Sequence, residues 1–143
     1  MKTELPKKNN ATDGKKAHND NKCIKVGRIR MNSWATKILK ACDIVIYESE
    51  LVHIKNKHNA ELQKIGMTAF DFVKFICNNF NELRQGTNGT ILLAVHRQHT
   101  SNIAAVEIHK LVTEEKMVYK INTATPINSK QLCLKKLLCA NDH

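Results

Sequence analysis

The sequence NELRQGTNGTILLAVHRQ, residues 81–98, marks a change from helical to strand-like spacing along the chain. In the preceding residues the apolar side chains recur every three to four positions, whereas here they approach the alternating pattern of strands. The Asn88-Gly89 pair near its centre favours a tight hairpin turn, because both residue types tolerate positive φ. NIAAVEIHKL (102–111) and MVYKINTAT (117–125) follow after short links and have strand composition. Consecutive strands joined by short links must pair antiparallel, so we predict a meander of three or four strands.

The sequence before the meander has mainly helical spacing. Residues 70–80, FDFVKFICNNF, place their large apolar side chains on one side of a helix, and Thr68 is suited to cap its first turn. Two more segments with helical spacing and one short strand are predicted upstream: WATKILKAC (34–42), DIVIY (43–47) and ELVHIKNKHNAELQKI (50–65).

A closing helix is predicted after Pro126, over SKQLCLKKLLC (129–139). Helices first, then an antiparallel meander, then a helix is the element order of an α+β fold. We therefore expect N-terminal helices packed on a three- to four-stranded antiparallel sheet, with a C-terminal helix closing the domain.

The length of 143 residues fits one domain, and the net charge of +10 suggests a polyanionic partner. Residues 1–30 contain nine Lys/Arg and three Asp/Glu, so more than half of this charge lies near the N-terminus. Residues 1–26 are polar and rich in Asn and Lys, and we predict a disordered basic tail there. Residues 27–143 are predicted to form the single folded domain.

The compartment is predicted from apolar runs and cysteines. No run approaches the roughly 18 apolar residues that a membrane span requires, and the first ten residues lack the apolar core of a signal peptide. Five cysteines at irregular spacing, without a CxxC pair, fit a reducing environment. We expect a cytoplasmic protein with no membrane association, or one delivered into the cytoplasm of a target cell.

The hexapeptide HIKNKH contains two histidines, His53 and His58, five residues apart. On a helix they point about 140° apart, so they cannot bind one metal as an i, i+4 pair would. His58 falls in the apolar stripe of Ile54 and Leu62 and should point inward, whereas His53 should lie at the rim. Each histidine also has a structural alternative. His58 would be a core histidine bonded to a backbone carbonyl, and His53 would be a solvated histidine.

The meander predicts which sheet residues share a face. A loop centred near His99 would pair Ala94 with Ala105 and Leu92 with Glu107. A turn centred near Thr113 would then pair two further sets of residues: Ile103 with Thr123, and Glu107 with Tyr119. With these registers, His96 and Thr123 lie on one face at one end of the sheet.

Histidines, a threonine and nearby cations are the groups that metal-independent phosphodiester cleavage requires. A histidine can take the proton of a ribose 2′-hydroxyl or protonate the leaving 5′-oxygen. Arg97 and Lys120 can stabilise the charge on the phosphate oxygens. The sequence contains no GxGxxG motif or Walker loop, and this chemistry requires no metal and no cofactor.

Five segments within about residues 43–139 form a pattern along the chain: IVIYESELVHIKNKHNAEL, FVKFICNNFNELRQG, TILLAVHRQ, NIAAVEIHKL and MVYKINTATPINSKQLCLKKLL. In this order they resemble nuclease domains of the barnase, EndoU, colicin and RelE-like class, in the branch found in phage and mobile-element polyvalent proteins and toxins. In that branch a helical H-I-x-x-K/R-H element precedes a helix, a meander, and a last strand ending in Thr-Ala before a lysine-rich helix.

The resemblance implies a nuclease-like domain that cleaves RNA by attack of the 2′-hydroxyl and leaves a 2′,3′-cyclic phosphate. It assigns catalysis to His53, His58 and Thr123, while Thr125 offers a second hydroxyl. Chemistry adds further residues to the predicted site: Arg97 and Lys120 for catalysis, and Lys55, Lys57 and His96 for RNA binding.

The expected partners are RNA, either tRNA or mRNA, and a cognate immunity or antitoxin protein. Two alternatives do not require the histidines: a nucleic-acid-binding domain without catalysis, and a protein-interaction module of the same fold.

Overall fold

The computed structural model describes residues 21–96, 103–112, 116–127 and 129–141. These residues form seven strands, three helices and two short 3-10 turns. In chain order they are β1 (Cys23–Arg28), a 3-10 turn (Trp34–Lys37), β2 (Asp43–Tyr47), α1 (Glu48–Ile65), α2 (Ala69–Asn79), β3 (Glu82–Gln85), a second 3-10 turn (Thr87–Gly89), β4 (Ile91–Val95), β5 (Ile103–Val112), β6 (Met117–Ile127), α3 (Ser129–Leu132) and β7 (Leu137–Ala140).

The strands form one sheet in the order β1-β2-β6-β5-β4-β3-β7. Strands β3 to β6 are the predicted antiparallel meander, which confirms the α+β class. The sheet is larger than predicted, because β1 and β2 extend one side and β7 extends the other. β2 pairs with β6 in parallel, with Ile44 opposite Tyr119, while the other pairs are antiparallel.

The predicted hairpin turn is present between β3 and β4. Asn88 and Gly89 have φ values of 52° and 82°, the left-handed backbone that these two residue types tolerate best. The Thr90 amide donates to the Thr87 carbonyl oxygen at 3.0 Å and closes the turn. Local turn chemistry therefore fixes the pairing of Glu82 with Ala94 further along the hairpin.

The register between β4 and β5 is as predicted, with Leu92 opposite Glu107 and Ala94 opposite Ala105. The predicted register between β5 and β6 is wrong, because Glu107 lies opposite Thr123 rather than Tyr119. β5 ends at Val112, which pairs with Met117, so the pairing is centred further along the chain than Thr113. A bulge after Glu107 shifts the register by one more residue, and Ile103 lies opposite Ile127 instead of Thr123.

The helix predicted over residues 70–80 is confirmed as α2. The Thr68 hydroxyl accepts a hydrogen bond from the Asp71 amide at 3.0 Å, as expected for an N-cap. Phe72, Val73 and Ile76 are buried in the main core. α1 precedes α2 and ends at Gly66, whose φ of 70° suits a helix C-cap.

Three predicted boundaries are wrong. The closing helix is a single turn, α3, because the chain then becomes β7 and pairs with the exposed edge of β3. Residues 34–42 form one 3-10 turn followed by irregular chain rather than a helix. β1 begins at Cys23, within the predicted tail, because pairing with β2 orders it. The tail residues 1–20 lie outside the described residues.

Helices α1 and α2 cover one face of the sheet, called here the inner face. Ile44, Ile121 and Ala124 are fully buried there, in the same cluster as Ile54 of α1 and Ile76 of α2. Residues that alternate with these on the strands lie on the opposite, outer face. α3 is the helix that packs there, with the fully buried Leu132 against Leu92 and Ala94.

Gly27 lets α2 approach β1. A Cβ atom at position 27 would lie 2.9 Å from the Cβ atom of Cys77 and 3.3 Å from its carbonyl oxygen. Neither atom belongs to a flexible side-chain end, so a larger residue here must separate the helix from the strand.

Gly27→Ala should lower the free energy of unfolding by about 1–3 kcal/mol through overpacking. Urea unfolding followed by circular dichroism measures this. The matched control is Cys23→Ala on the same strand, at an exposed position, which should change the free energy by less than about 0.5 kcal/mol. Equal stability of Gly27→Ala and the wild type would contradict the close packing of α2 on β1.

Candidate functional site

The predicted histidine pair lies on α1 as expected. His53 is exposed, whereas His58 is 8% exposed and packs beneath the helix with Ile54 and Leu62 buried on the same stripe. The inward position of His58 is therefore confirmed. The helix is kinked at this residue, whose φ and ψ are −121° and 24°. Lys55 and Lys57 are exposed on the same helix.

The partners of His58 differ from the predicted backbone carbonyl. Its Nδ1 lies 3.2 Å from Oε1 of Glu61, one turn later on α1. Its Nε2 is buried and has no hydrogen-bond partner among the described residues. A buried polar atom without a partner costs about 1–3 kcal/mol, and the half-exposed Glu61 carboxylate offsets little of that cost.

His58→Leu should raise the free energy of unfolding by about 1 kcal/mol, because leucine fills the same apolar stripe without an unpaired nitrogen. Thermal or urea unfolding tests this. His53→Leu, at the exposed position on the same helix, should change the value by less than about 0.5 kcal/mol. A clear loss of stability in His58→Leu would show that the imidazole makes a favourable interaction in the folded protein.

The sheet separates the remaining predicted catalytic residues from this histidine pair. Tyr119, Ile121 and Ala124 are in the inner core, so the alternating Lys120 and Thr123 lie on the outer face. The Nζ atom of Lys120 sits 5.1 Å from the centroid of the Tyr47 ring, also on the outer face. The predicted set therefore does not meet on one surface, and Arg97 lies outside the described residues.

A different group of polar side chains converges on the outer face: Glu82 and Arg84 of β3, and His96 at the end of β4. Arg84 Nε donates to Glu82 Oε1 at 2.8 Å. The other carboxylate oxygen, Oε2, lies 3.1 Å from His96 Nδ1. Glu82 thus joins the two side chains, and we call these three residues the Glu82 cluster.

Main-chain contacts hold the Glu82 cluster in place. Asn81 binds the His96 backbone twice, accepting from its amide at 2.8 Å and donating to its carbonyl oxygen at 2.7 Å. Arg84 Nη1 donates to the Lys135 carbonyl oxygen at 2.8 Å. The cluster is therefore tied to both the β3–β4 pair and the segment between α3 and β7.

Glu82 is ionised in this environment. Burial is the largest influence on its pKa and acts to raise it. The hydrogen bonds and positive charges of Arg84 and His96 together outweigh burial, so the pKa lies below its ordinary value of 4.5. An ionised carboxylate only accepts hydrogen bonds, which places a proton on His96 Nδ1.

The geometry is that of a carboxylate-oriented imidazole, an arrangement suited to general acid–base chemistry. The His96 side chain is 19% exposed, so solvent reaches it although most of its surface is covered. Sequence reasoning assigned His96 to RNA binding and missed Glu82 and Arg84. Their i, i+2 spacing on β3 was the available signal, because it puts both side chains on one face.

A second charged group on the outer face surrounds Asp43 at the start of β2. Its Oδ1 lies 2.7 Å from Arg28 Nη1 and 3.4 Å from Lys25 Nζ, and its Oδ2 lies 3.7 Å from Lys116 Nζ. The hydrogen bond from Arg28 is the main reason why the pKa of Asp43 lies below its usual range. Three cations share one carboxylate, so this end of the sheet is electropositive.

The described residues contain no group of three or more His, Cys, Asp or Glu side chains arranged to hold a metal ion. Within the same residues, no helix combines the length and apolarity needed to cross a bilayer. Comparison with protein families, with characterised proteins and with solved structures finds no match to this chain.

Glu82→Gln should lower the free energy of unfolding at pH 7 by about 2 kcal/mol, because it removes the charge that pairs with the buried Arg84. The folded-state pKa of Glu82 is below 4.5, so the ionised carboxylate stabilises the folded protein fully above that pH. This stabilisation is lost as the pH falls through the lowered pKa.

Urea unfolding of wild type and Glu82→Gln between pH 7 and pH 3 tests this dependence. The difference between the two proteins should narrow in the acid range. Glu50→Gln on α1 provides a control with the same loss of charge. A difference that stays constant across the whole pH range would contradict an ionised Glu82 in the folded protein.

Proposed function

We propose that this protein cleaves RNA without a metal ion and that His96 is the residue that transfers the proton. The observation that carries the proposal is the 3.1 Å contact between His96 Nδ1 and Glu82 on the outer face of the sheet. The expected class of activity is the one implied by the resemblance to barnase, EndoU, colicin and RelE-like nucleases. The site proposed is different from the His53 and His58 pair.

In the proposed reaction the neutral His96 ring accepts the proton of a ribose 2′-hydroxyl through Nε2. The 2′-oxygen then forms a bond to phosphorus as the bond between phosphorus and the 5′-oxygen breaks. The imidazolium returns the proton to the 5′-oxygen, which leaves a 2′,3′-cyclic phosphate and a 5′-hydroxyl. Glu82 stabilises the imidazolium through Nδ1, in the same way that a carboxylate orients the histidine of a catalytic triad.

Positive charge beside β3 supports a phosphate-bearing substrate. The segment containing Lys135 and Lys136 runs beside β3, held by hydrogen bonds from Arg84 and the Gln85 amide. Thr123 and Thr125 lie on the same outer face two strands away, so either hydroxyl faces the side on which substrate would bind. The remaining expectations, a toxin-type role and a cognate immunity protein, rest on the resemblance alone.

A nucleic-acid-binding domain without catalysis is the second candidate function. The burial of Arg84 favours it, because Arg84 is 7% exposed and its guanidinium is engaged by Glu82 and Lys135. Such a cluster stabilises the sheet edge whether or not His96 transfers a proton. The basic face would then bind phosphates without cleaving them.

Cleavage of total RNA and tRNA in EDTA, with chemical analysis of the product ends, tests the proposal. Wild type should produce cyclic phosphate ends, and His96→Ala should lower the rate at least about 100-fold, the scale of general acid–base catalysis. The backbone bonds from Asn81 do not depend on the His96 side chain, so the variant should stay folded. His53→Ala and His58→Leu, on the opposite side of the sheet, should cleave at the wild-type rate.

Three outcomes would contradict the proposed site or activity. Loss of cleavage in His53→Ala or His58→Leu, with the circular dichroism spectrum retained, would show that the catalytic residues lie on α1. Wild-type cleavage that His96→Ala leaves intact would exclude His96. A folded wild type that shifts RNA in a gel in a salt-dependent way, but never cleaves it, would establish the binding function.

A further inference from the structure

A pocket of about 190 Å³ opens between the 3-10 turn at Trp34–Lys37, the end of β1 and the end of α2. It is separate from the Glu82 cluster, and none of its residues was part of the predicted site. Its lining combines two cations, an aromatic pair, a hydroxyl and an amide: Arg28, Arg30, Ser33, Trp34, Ala35, Cys77, Asn78 and Phe80.

The aromatic wall of the pocket consists of Trp34 and Phe80. Their ring centroids are 5.6 Å apart, with planes tilted by 55°. Trp34 is half-buried and packs on the main core, so its indole is held by neighbours while one part remains accessible. A rigid, partly exposed indole is a stacking surface for flat aromatic ligands, and nucleobases stack on such side chains in proteins that bind single-stranded nucleic acid.

Two cationic residues, Arg28 and Arg30, line the pocket, and both are exposed. Arg28 is bound to Asp43 by one nitrogen at 2.7 Å. Lys25 and Lys116 also contact that carboxylate, so the local charge stays positive. Guanidinium groups bind phosphate oxygens through paired N–H donors, which makes an arginine pair suited to a phosphate.

Ser33 lines the same pocket and has an unpaired polar atom. Its Oγ is buried and has no hydrogen-bond partner among the described residues. Ser33 precedes the 3-10 turn but makes no capping bond with its side chain. The fold therefore gains nothing from this hydroxyl, whereas a ligand in the pocket would give it a partner.

The other polar groups in the lining do not suggest a different chemistry. The Asn78 amide donates to the carbonyl oxygens of Val26 and Lys74, at 3.3 Å and 2.7 Å, and is used by the fold. Burial raises the pKa of the Cys77 thiol to about 12, so it is not a reactive thiolate. The volume of about 190 Å³ is below the roughly 300 Å³ of pockets for drug-sized molecules, so the pocket encloses only part of a nucleotide and the rest lies on the surface beside it.

We infer that this pocket binds a single nucleotide unit, with the base against Trp34, the phosphate on Arg28 and Arg30, and a polar atom of the ligand on Ser33. The unit is either a free mononucleotide or one unpaired nucleotide of an RNA strand, which present the same base and phosphate. This inference does not depend on cleavage at His96.

Trp34 is the only tryptophan in the chain, so its fluorescence reports on this pocket alone. Full-length protein should show saturable fluorescence quenching on titration with adenosine or uridine 5′-monophosphate. Inorganic phosphate and the unphosphorylated nucleosides should each bind at least tenfold more weakly, because each makes only part of the contacts. The same titration on His96→Ala should give unchanged affinity, which separates this test from the test of cleavage.

Two variants and one control assign the contacts. Arg30→Ala should weaken nucleotide binding at least fivefold, whereas Lys37→Ala, a basic exposed residue in the same segment but outside the lining, should not. Ser33→Ala should weaken binding by a similar factor without loss of stability in urea, because it removes a hydroxyl that makes no bond in the fold.

The affinity for a short single-stranded oligonucleotide, compared with that for the mononucleotide, distinguishes the two sources of the nucleotide. Tighter binding than the mononucleotide, with the same response to Arg30→Ala, identifies unpaired RNA, and equal binding identifies the free nucleotide. The inference is overturned if folded wild type shows no saturable quenching at millimolar nucleotide, or if inorganic phosphate binds as tightly. It is also overturned if Lys37→Ala and Arg30→Ala weaken binding equally, since diffuse positive charge would then account for it.

Discussion

The parallel pairing of β2 with β6 determines which face of the sheet the two long helices cover. A parallel pair cannot be joined by a tight turn and requires a long crossover. Here the crossover contains α1, α2 and the first three strands of the meander. Both long helices therefore cover the inner face, where Ile44 and Tyr119, the paired residues, are buried in the main core. The outer face is left to short α3 and to polar side chains.

This division explains why the Glu82 cluster forms where it does. A residue on β3 that points away from α1 and α2 meets only α3, β7 and solvent, so a charged side chain can remain there. Arg84 is nevertheless 7% exposed, and an unpaired charge at that depth would be costly. The Glu82 carboxylate and the Lys135 carbonyl oxygen offset that cost by accepting hydrogen bonds from Arg84. The ionised Glu82 carboxylate also orients His96. Glu82 thus has a structural role and, under the proposed function, a chemical one.

Local sequence signals predicted the elements that depend on local physics. Asn88-Gly89 predicted the hairpin turn, the apolar stripe predicted that His58 points inward, and Thr68 predicted the start of α2. The elements that depend on distant partners were missed. The bulge after Glu107 moved Thr123 to a different neighbour, and the exposed edge of β3 turned residues 137–140 into a strand. The contact between Glu82 and His96 depends on strand pairing and side-chain direction, which the spacing of 14 residues does not reveal.

The two sites proposed here are connected through a short piece of chain. Phe80 lines the pocket beside Trp34, Asn81 holds the backbone of His96, and Glu82 holds its ring. Three consecutive residues in extended chain span only about 7 Å between the first and last Cα atoms, so the pocket wall and the His96 imidazole have a fixed separation. A nucleotide held at Trp34 would therefore set the distance from its own phosphate to His96, whereas a diffuse basic surface would leave that distance undefined. Under the proposed function, this link would make the position of cleavage along an RNA strand, rather than base identity, the property that the arrangement controls.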